Sequence, residues 1–380
     1  MTNIVYLMWL HLKNALTPGT ACRLIEHFGS PEKVYMADKK AYEAYGISNK
    51  ELLRQLLDKS VNKANWQIQA AHNMGIILLE YKTRQYPSIL YEIPDPPLVL
   101  YAKGDVSLLH RRNIFCIVGT RHCSAYGASA AFGVAEQLSR CGMIVLSGVA
   151  MGIDSAAHRG ALRGGGKTIG IMGCGLDVDY PQENQQMRKD IIKQGVLISE
   201  FPLGTPPYGS NFPIRNRLLS AFSLGVAVME AREKSGALIT AKYAAEQGRD
   251  VFALPGNISN PLSVGTNRLI QDGAMLLMGA DSILAEYLVR YPEFFSFEKD
   301  KEMQCDDSSP LISETEEKSL HNVSLSDYEK GVYKHLVKEP LHVDELSKRS
   351  GLAINEVMSI LTMLQIKEKI KEHPGNRFSL

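Results

Sequence analysis

A glycine, an arginine and a serine follow a short apolar run, in a combination that can bind phosphate. The run Ile114–Val118 leads into Gly119-Thr120-Arg121, and Ser124 stands three residues further on. A serine at this spacing can cap a helix, and the N-terminus of a helix presents unpaired N–H groups to an anion. The guanidinium of Arg121 can grip phosphate with two hydrogen bonds. The alternative is that Arg121 pairs with a nearby carboxylate.

Glycines also follow the next two apolar runs. Gly148 and Gly152 bound one such segment, and Gly173 begins the other. Because glycine lets a ligand approach the backbone closely, the Gly148–Gly152 loop is a candidate second phosphate site. In the structural alternative, Asp154 is a helix cap and His158 is a hydrogen-bonded core histidine.

Basic residues recur in later loops and helices. Arg215 and Arg217 flank Asn216 at the predicted start of a helix, where an anion site is plausible. Several loops that can bind phosphate along one edge suit an extended polyanion better than a single phosphate. The pattern therefore predicts binding of an anion or a nucleotide chain. Nearby aromatic residues could stack on bases or pack in the core: Tyr126, Tyr208 and Phe212.

Short apolar runs alternate with helical segments between residues 81 and 291. Their spacing of roughly 20–30 residues is typical of repeated βα units, and continuous apolar runs indicate strands covered on both faces. We therefore expect a doubly wound, mostly parallel α/β sheet, with its ligand beyond the carboxyl ends of the strands. The loop at Gly119 departs from the dinucleotide fingerprint G-x-G-x-x-G. The predicted strands are Ile114–Val118, Ile144–Leu146, Thr168–Met172, Val196–Ile198, Val226–Met229, Val251–Leu254 and Ala274–Leu277.

Three further regions flank this core. Residues 1–80 have helical periodicity broken by glycine turns, which predicts a small helical domain resembling helix-hairpin-helix or sterile-alpha-motif modules. Residues 292–322 are rich in acidic residues and predict a solvated linker. Residues 323–380 predict three helices and a two-stranded wing, the pattern of a winged helix. Its recognition helix, Ala353–Leu364, contains no Lys or Arg, which favours protein docking or weak backbone contact over sequence-specific duplex binding.

The composition excludes several classes of protein. The formal net charge of +1 excludes a globally polycationic nucleic-acid binder, although a local basic groove is still possible. The six cysteines form no C-x-x-C pair and no zinc spacing, so we expect free thiols, no metal site and a reducing cytoplasm. No stretch approaches the roughly 20 apolar residues of a membrane span.

The chain resembles the DNA-processing protein A family, also called DprA or Smf, from about Tyr86 to Gly279. Many loops match in the right order. They are Tyr86-Pro87, Asp95-Pro96-Pro97, Val118-Gly119-Thr120-Arg121 with Ser124 and Tyr126-Gly127, Ser147-Gly148 with Gly152-Ile153-Asp154 and His158, Gly173-Cys174-Gly175-Leu176-Asp177 with Tyr180-Pro181, Ser199-Glu200, Phe212-Pro213-Ile214-Arg215-Asn216-Arg217, Glu230-Ala231 with Ser235-Gly236, and Asp250-Val251-Phe252-Ala253-Leu254-Pro255-Gly256.

The resemblance implies an extended Rossmann-like core that binds single-stranded DNA and forms a homodimer. It implies a recombination mediator without enzymatic activity or cofactor, which protects incoming strands in natural transformation and helps load the RecA recombinase. By position, the phosphate-binding residues would be Arg121 and Lys167, with Arg215, Arg217 and Lys242 as further candidates. The dimer interface would lie within Asn267–Leu277 and include Leu269, Ile270 and Leu276.

Two other functions are weighed against this one. A nucleoside monophosphate hydrolase of the lysine-decarboxylase-like type shares the broad architecture, but Pro255-Gly256-Asn257 lacks the rest of its P-G-G-x-G-T-x-x-E signature. Asp154, Glu200 and Glu230 are the carboxylates that would then act as acid and base. A duplex-binding regulator would act through the winged helix.

Overall fold

The computed structural model describes residues 3–291, 331–336, 340–352, 354, 357, 358, 360, 361, 364, 370–373 and 377–379. The chain divides into two compact units, Met1–Glu302 and Met303–Leu380. The predicted acidic linker, residues 292–322, lies outside the described residues.

Six helices precede the sheet. Side chains of Thr17, Ser30, Asp38 and Asn49 cap the second to fifth of them by accepting backbone N–H bonds. Two separate helices meet near Ala37, because Ala37 is extended and Asp38 caps a new start. The six are α1 (Asn3–His11), α2 (Pro18–Phe28), α3 (Pro31–Met36), α4 (Lys39–Ala44), α5 (Lys50–Leu57) and α6 (Asn62–Asn73).

A nine-stranded sheet forms the centre of the first unit, in the order β1-β2-β6-β5-β4-β3-β7-β8-β9. β2 pairs antiparallel with both β1 and β6, and all other pairs are parallel. The predicted mostly parallel α/β sheet is confirmed, with all seven predicted strands. The strands are β1 (Ile77–Glu80), β2 (Val99–Gly104), β3 (Ile114–Val118), β4 (Ile144–Ser147), β5 (Thr168–Ile171), β6 (Val196–Ser199), β7 (Gly225–Val228), β8 (Asp250–Ala253) and β9 (Met275–Leu276).

Helices cover both faces of this sheet. In β3, Phe115 and Ile117 pack into one buried cluster, whereas Ile114 and Cys116 pack into another on the opposite face. This double burial explains why the strands are continuous apolar runs rather than alternating ones. The helices are α7 (Ala125–Arg140), α8 (Ile153–Arg163), α9 (Gln185–Gln194), α10 (Asn211–Ala221), α11 (Gly236–Glu246), α12 (Val264–Gln271) and α13 (Ala280–Arg290).

The N-terminal helices share a hydrophobic core with the sheet. Leu7 and Trp9 of α1 belong to the same buried cluster as Tyr101 of β2. The Gln67 amide of α6 accepts hydrogen bonds from the Tyr101 hydroxyl and the Leu203 backbone N–H, each at 3.0 Å. Since β1 already belongs to the sheet at Ile77, the helices and the sheet form one packed body across residue 80.

The sheet changes direction at β3. β4, β5 and β6 follow on one side of it, and β7, β8 and β9 follow on the other. In an open α/β sheet such a switch point leaves a crevice beyond the carboxyl ends of the strands. The loops after β3, β4 and β7 therefore meet there.

The second unit has its own small core. Val332, Leu346, Leu361 and Phe378 are buried in it. The sheet order is β10-β12-β11, with β11 and β12 as the predicted wing. Much of the predicted recognition helix Ala353–Leu364 lies outside the described residues, as do Lys367 and Lys369. The elements are β10 (Leu341–His342), α14 (Val343–Ser350), β11 (Lys371–His373) and β12 (Arg377–Ser379).

None of the helices in the described part of the chain is both long and apolar enough to cross a membrane. Among the same residues, no group of three or more His, Cys, Asp or Glu side chains is arranged to hold a metal ion.

Candidate functional site

A groove of about 580 Å³ lies at the switch point of the sheet. The loops after β3, β4 and β7 form its floor and one wall, and the N-terminal half of α10 forms the other wall. Its polar and aromatic lining includes Arg121, Asp154, Tyr180, Phe212, Arg215, Asn216, Arg232 and Lys234. The predicted placement beyond the carboxyl ends of the strands agrees with this position.

Arg121 is exposed in the groove and lies on an aromatic ring. Its guanidinium carbon is 4.4 Å from the centre of the Phe212 ring, and Nη1 donates a hydrogen bond of 3.2 Å to the Tyr180 hydroxyl. Among the described residues, no carboxylate forms an ion pair with it. The structure therefore does not support the alternative in which Arg121 pairs with a carboxylate. Its charge and planar fork remain available to a ligand.

Arg232 and Lys234 are two groove residues that the sequence analysis missed. Both are exposed, and neither forms an ion pair within the described ranges. They lie in the loop between β7 and α11, directly after Glu230-Ala231. Their position after the carboxyl end of a central strand was the signal that could have identified them. With Arg121 they make the groove cationic.

Arg215 is buried in the floor of the groove, not extended into it. Its Nη1 donates to the carbonyl oxygens of Gly148, at 2.8 Å, and Ile171. Burial lowers the pKa of Arg215, while the nearby Asp154 carboxylate opposes that shift. Burial also raises the pKa of Asp154, whose carboxylate accepts a 3.3 Å bond from the Ala150 N–H. Arg215 and Asp154 thus hold the Gly148–Gly152 loop in place.

Three of the predicted glycines serve close packing. Gly152 has a φ of 76°, and a Cβ there would be 2.4 Å from the Thr120 carbonyl oxygen. A Cβ on Gly148 would be 2.6 Å from Arg215 Nη2, and one on Gly173 would be 2.8 Å from the Phe212 ring. Gly152 is thus required for the loops after β3 and β4 to touch.

The N-terminus of α7 is occupied by a carboxylate. Ser124 caps the helix through the Gly127 N–H, as predicted. Its own N–H and hydroxyl donate to the two Glu230 oxygens, at 2.8 and 2.5 Å. Glu230, only 1% exposed, therefore fills the position where the sequence analysis expected phosphate. Gly119 lines the groove with its backbone, and a Cβ there would be 2.5 Å from Ile153, so this position has no room for a side chain.

Arg217 is buried in ion pairs away from the groove. Its guanidinium contacts Glu200 at 2.6 Å and Asp95 at 3.0 Å, and its side chain is 3% exposed. Asn216 lies beside it but lines the groove, where its amide donates to the Gly236 carbonyl at 3.1 Å. Arg217 is consequently not part of the groove lining.

The two predicted lysines lie outside the groove. Lys167 is exposed but precedes β5, so it lies at the amino edge of the sheet, opposite to the groove. Lys242 is exposed on α11, where its ammonium is 3.7 Å from Glu246. Of the predicted aromatic residues, only Phe212 lines the groove, whereas the Tyr126 hydroxyl donates to the Pro255 carbonyl.

The three carboxylates weighed for enzymatic acid–base chemistry are held apart by different partners. Asp154 bonds the β4 loop, Glu200 pairs with Arg217, and Glu230 binds the N-terminus of α7. Each is engaged in holding the fold, and the structure brings no two of them together as an acid–base pair.

The residues predicted for a dimer lie at the β9 edge. Leu269 and Ile270 are half-buried on α12, and Leu276 is 46% exposed in β9. β9 is the last strand in the sheet order, and it pairs only with β8 among the described strands.

Comparisons with known proteins agree with this architecture. The family model of DNA recombination-mediator protein A matches residues 77–288, and that of the DprA winged helix domain matches residues 316–376, which confirms the C-terminal winged helix. Protein Smf from Synechocystis is 33% identical over 392 residues, covering 98% of this chain and 97% of the relative.

Two solved structures are similar to this chain. DprA from Streptococcus pneumoniae has a TM-score of 0.66 at 34% identity, covering 75% of this chain and 98% of that one. DNA processing protein A from Helicobacter pylori, described for its unique single-stranded DNA binding mode, has a TM-score of 0.52 at 31% identity, covering 57% and 97%. The chain is therefore a member of the DNA recombination-mediator protein A family, the DprA or Smf proteins.

Proposed function

We propose that this protein binds single-stranded DNA in the groove at the switch point, without preference for sequence. It acts as a cytoplasmic recombination mediator that protects incoming strands and promotes RecA loading in natural transformation. It does so as a binding protein, without a catalytic step or a cofactor.

The observation that carries the proposal is the exposed Arg121 on the Phe212 ring, with no carboxylate paired to it among the described residues. A guanidinium next to an aromatic face offers a phosphate contact and a stacking surface within the reach of one nucleotide. Arg232 and Lys234 extend the positive lining along the same groove. Neighbouring phosphates of one strand can therefore each find a basic side chain.

These groups also support binding without sequence preference. Basic side chains contact the phosphates, which are the same at every position, and the exposed guanidinium plane of Arg121 can stack on any base. A paired duplex hides its base faces, so this stacking surface favours an unpaired strand.

The direct test is charge reversal at Arg121 in the full chain. Arg121→Glu should weaken binding of a single-stranded oligonucleotide by more than about tenfold, because it removes one phosphate contact and adds repulsion. Fluorescence polarisation at several salt concentrations measures the affinity, which should fall steeply with salt for the unmodified protein.

The matched control is Lys193→Glu, an exposed lysine in the last turn of α9. It makes the same charge change outside the groove and should leave the affinity within about twofold. Equal losses in the two variants, or none in either, would refute the groove as the binding site. Tighter binding to duplex than to single strands would refute the proposed substrate.

The RecA-loading function has its own test. Addition of the protein should shorten the lag of DNA-dependent ATP hydrolysis by RecA on strands coated with a single-strand binding protein. Arg121→Glu should lose this effect together with DNA binding. A lag that the unmodified protein leaves unchanged would contradict the mediator function.

We also propose that the β9 edge forms a homodimer. Leu276 is 46% exposed and Met278, two residues further on, is 79% exposed, and a short apolar edge strand can pair with a second copy. Leu276→Glu should shift the mass measured by sedimentation from dimer to monomer. An unmodified protein that sediments as a monomer at micromolar concentration would refute this.

A further inference from the structure

A second, smaller cavity of about 130 Å³ lies at the amino edge of the sheet, opposite to the groove. It is lined by the segment 109–112 just before β3, by residues 222–224 before β7 and by Arg249 before β8. The first 3-10 helix, Ser88–Glu92, closes one side. We call it the amino-edge pocket.

The rim of the amino-edge pocket is basic. Arg111, Arg112 and Arg249 face a single carboxylate, Glu92, and His110 lies beside them. Glu92 is paired with Arg249, with its Oε2 2.8 Å from Nη2. Within the described ranges, the side chains of Arg111 and Arg112 form neither an ion pair nor a hydrogen bond. Two exposed guanidinium groups therefore have no compensating carboxylate among the residues that the structure describes.

Arg249 itself has an unmet hydrogen-bonding capacity. Its side chain is 20% exposed, and its Nε is fully buried with no hydrogen-bond partner in the described part of the chain. A buried donor without an acceptor lowers stability. Because this Nε is closed to solvent, Arg249 contributes to the pocket through its positive charge, which adds to those of Arg111 and Arg112.

The floor of the pocket is apolar. Leu109 and Phe222 are buried at 1% and 3% exposure, and Ile89 and Leu224 are half-buried. A basic rim over an apolar floor suits a ligand with an anionic group and a ring or hydrocarbon part. The cavity is well below the roughly 300 Å³ typical of drug-sized ligands, so it has room for one small ring system and not for a nucleotide chain.

We infer that the amino-edge pocket binds a phosphate monoester, with the phosphate on Arg111, Arg112 and Arg249 and the organic part on Leu109 and Phe222. Guanidinium forks match phosphate oxygens in pairs, which makes phosphate the favoured anion. The shared chemistry fits the sugar phosphate of a free nucleoside monophosphate or of the phosphorylated end of a DNA strand, with the base outside the cavity. This site is separate from the groove and does not depend on DNA binding there.

The test titrates deoxyadenosine monophosphate into the full chain at low salt, with heat of binding as the readout. Saturable binding is expected. The double variant Arg111→Gln with Arg112→Gln should weaken it by at least about tenfold, or about 1.4 kcal/mol. Both residues are exposed, so the variant should keep the unfolding temperature of the unmodified protein.

The matched control, Arg163→Gln, changes an exposed arginine at the end of α8 that does not line the pocket. It should leave the affinity unchanged. No saturable binding, or equal weakening in the control and the double variant, would overturn the inference.

A competition separates the two sources of the phosphate. It uses the Arg121→Glu background, in which the groove is impaired, and compares oligonucleotides with a 5′-phosphate or a 5′-hydroxyl. Displacement of deoxyadenosine monophosphate by the phosphorylated oligonucleotide alone supports the site and assigns it to strand ends. Displacement by neither supports it as a site for free nucleotides. Displacement by both equally would overturn recognition of a phosphate monoester.

Discussion

At the scale of single residues, three arginines that were all candidates for binding phosphate have three different environments. Arg121 is exposed on an aromatic ring, Arg215 is buried among backbone carbonyls, and Arg217 is buried between two carboxylates. Arg215 and Arg217 are separated by a single residue, so their spacing predicted a shared role. Arg217 is instead paired with Glu200 and Asp95, which lie 17 and 122 positions away in the sequence and so could not be identified from the spacing.

Gly152 supports the first prediction at this scale. Gly152→Ala places a Cβ 2.4 Å from the Thr120 carbonyl oxygen at a φ of 76°, so we expect a loss of stability of at least about 1–3 kcal/mol. Because Thr120 precedes Arg121, the affinity for single-stranded DNA should fall as well. Urea unfolding and fluorescence polarisation measure the two effects.

Gly165→Ala is the matched control for this change. Gly165 has nearly the same φ, 79°, and a Cβ there would have no neighbour within 4 Å. Gly165→Ala should lose only the stability that the strained backbone conformation costs, and it should keep full affinity for single-stranded DNA. If the two variants lose equal stability and neither loses affinity, contact between the loops after β3 and β4 does not shape the groove.

At the scale of elements, α8 and β5 are joined through a buried histidine. His158 is fully buried, and its Nδ1 is 2.7 Å from the Thr168 hydroxyl. Burial lowers the pKa of His158 from 6.5 to about 3, and nearby Arg215 and Arg159 add to the shift. The sequence predicted a hydrogen-bonded core histidine as the structural alternative, and His158 is indeed buried and bonded through Nδ1, but its Nε2 has no hydrogen-bond partner among the described residues.

The pH dependence of stability follows from this shift. In the unfolded chain His158 binds a proton near pH 6.5, whereas in the folded chain it does so only near pH 3. The free energy of unfolding therefore falls as the pH drops through this range. His158→Gln should make urea-unfolding stability less dependent on pH between about pH 6 and 4, by up to about 1.4 kcal/mol per pH unit.

The exposed His122 provides the control for that titration. His122→Gln should leave the slope of stability against pH unchanged. The same slope for His158→Gln as for the unmodified protein would show that His158 does not resist protonation. His11, whose pKa burial lowers to about 4, contributes in the same direction and is retained in every variant.

At the scale of the whole molecule, the N-terminal helices and the sheet are one cooperative body. Leu7, Trp9 and Leu24 are at most 2% exposed, and they share a core with strand β2. The groove lies in this body, whereas the winged helix has a separate core around Leu346 and Phe378. The sheet depends on the helices more closely than a division at residue 80 suggests.

Truncation at either end should show whether the sheet needs the N-terminal helices or the C-terminal unit for its stability. Removal of residues 1–75 exposes the sheet surface under α1, and losing one buried aromatic alone costs about 3–5 kcal/mol. We expect a large fall in the unfolding temperature, which circular dichroism measures. Removal of residues 303–380 should leave that temperature nearly unchanged for the first unit. Equal midpoints for the N-terminally truncated and full chains would contradict a shared core.

The sequence alone determined seven of the nine strands of the large sheet, their parallel arrangement and the edge at which the loops gather, but it missed β1 and the antiparallel β2. These features depend on local periodicity and on the fixed geometry of βα units, which a linear pattern expresses directly. Arg121 was also identified this way, since it follows a central strand. The motif set further identified the family.

Only the tertiary structure decided which basic residues are available. Glu230 fills the N-terminus of α7, Glu200 neutralises Arg217, and Lys167 lies at the opposite edge. Arg232 and Lys234 join the groove instead. The physical reason is that burial and charge pairing depend on contacts between distant segments. Such contacts set the free energy of each charged group, and no local pattern records them.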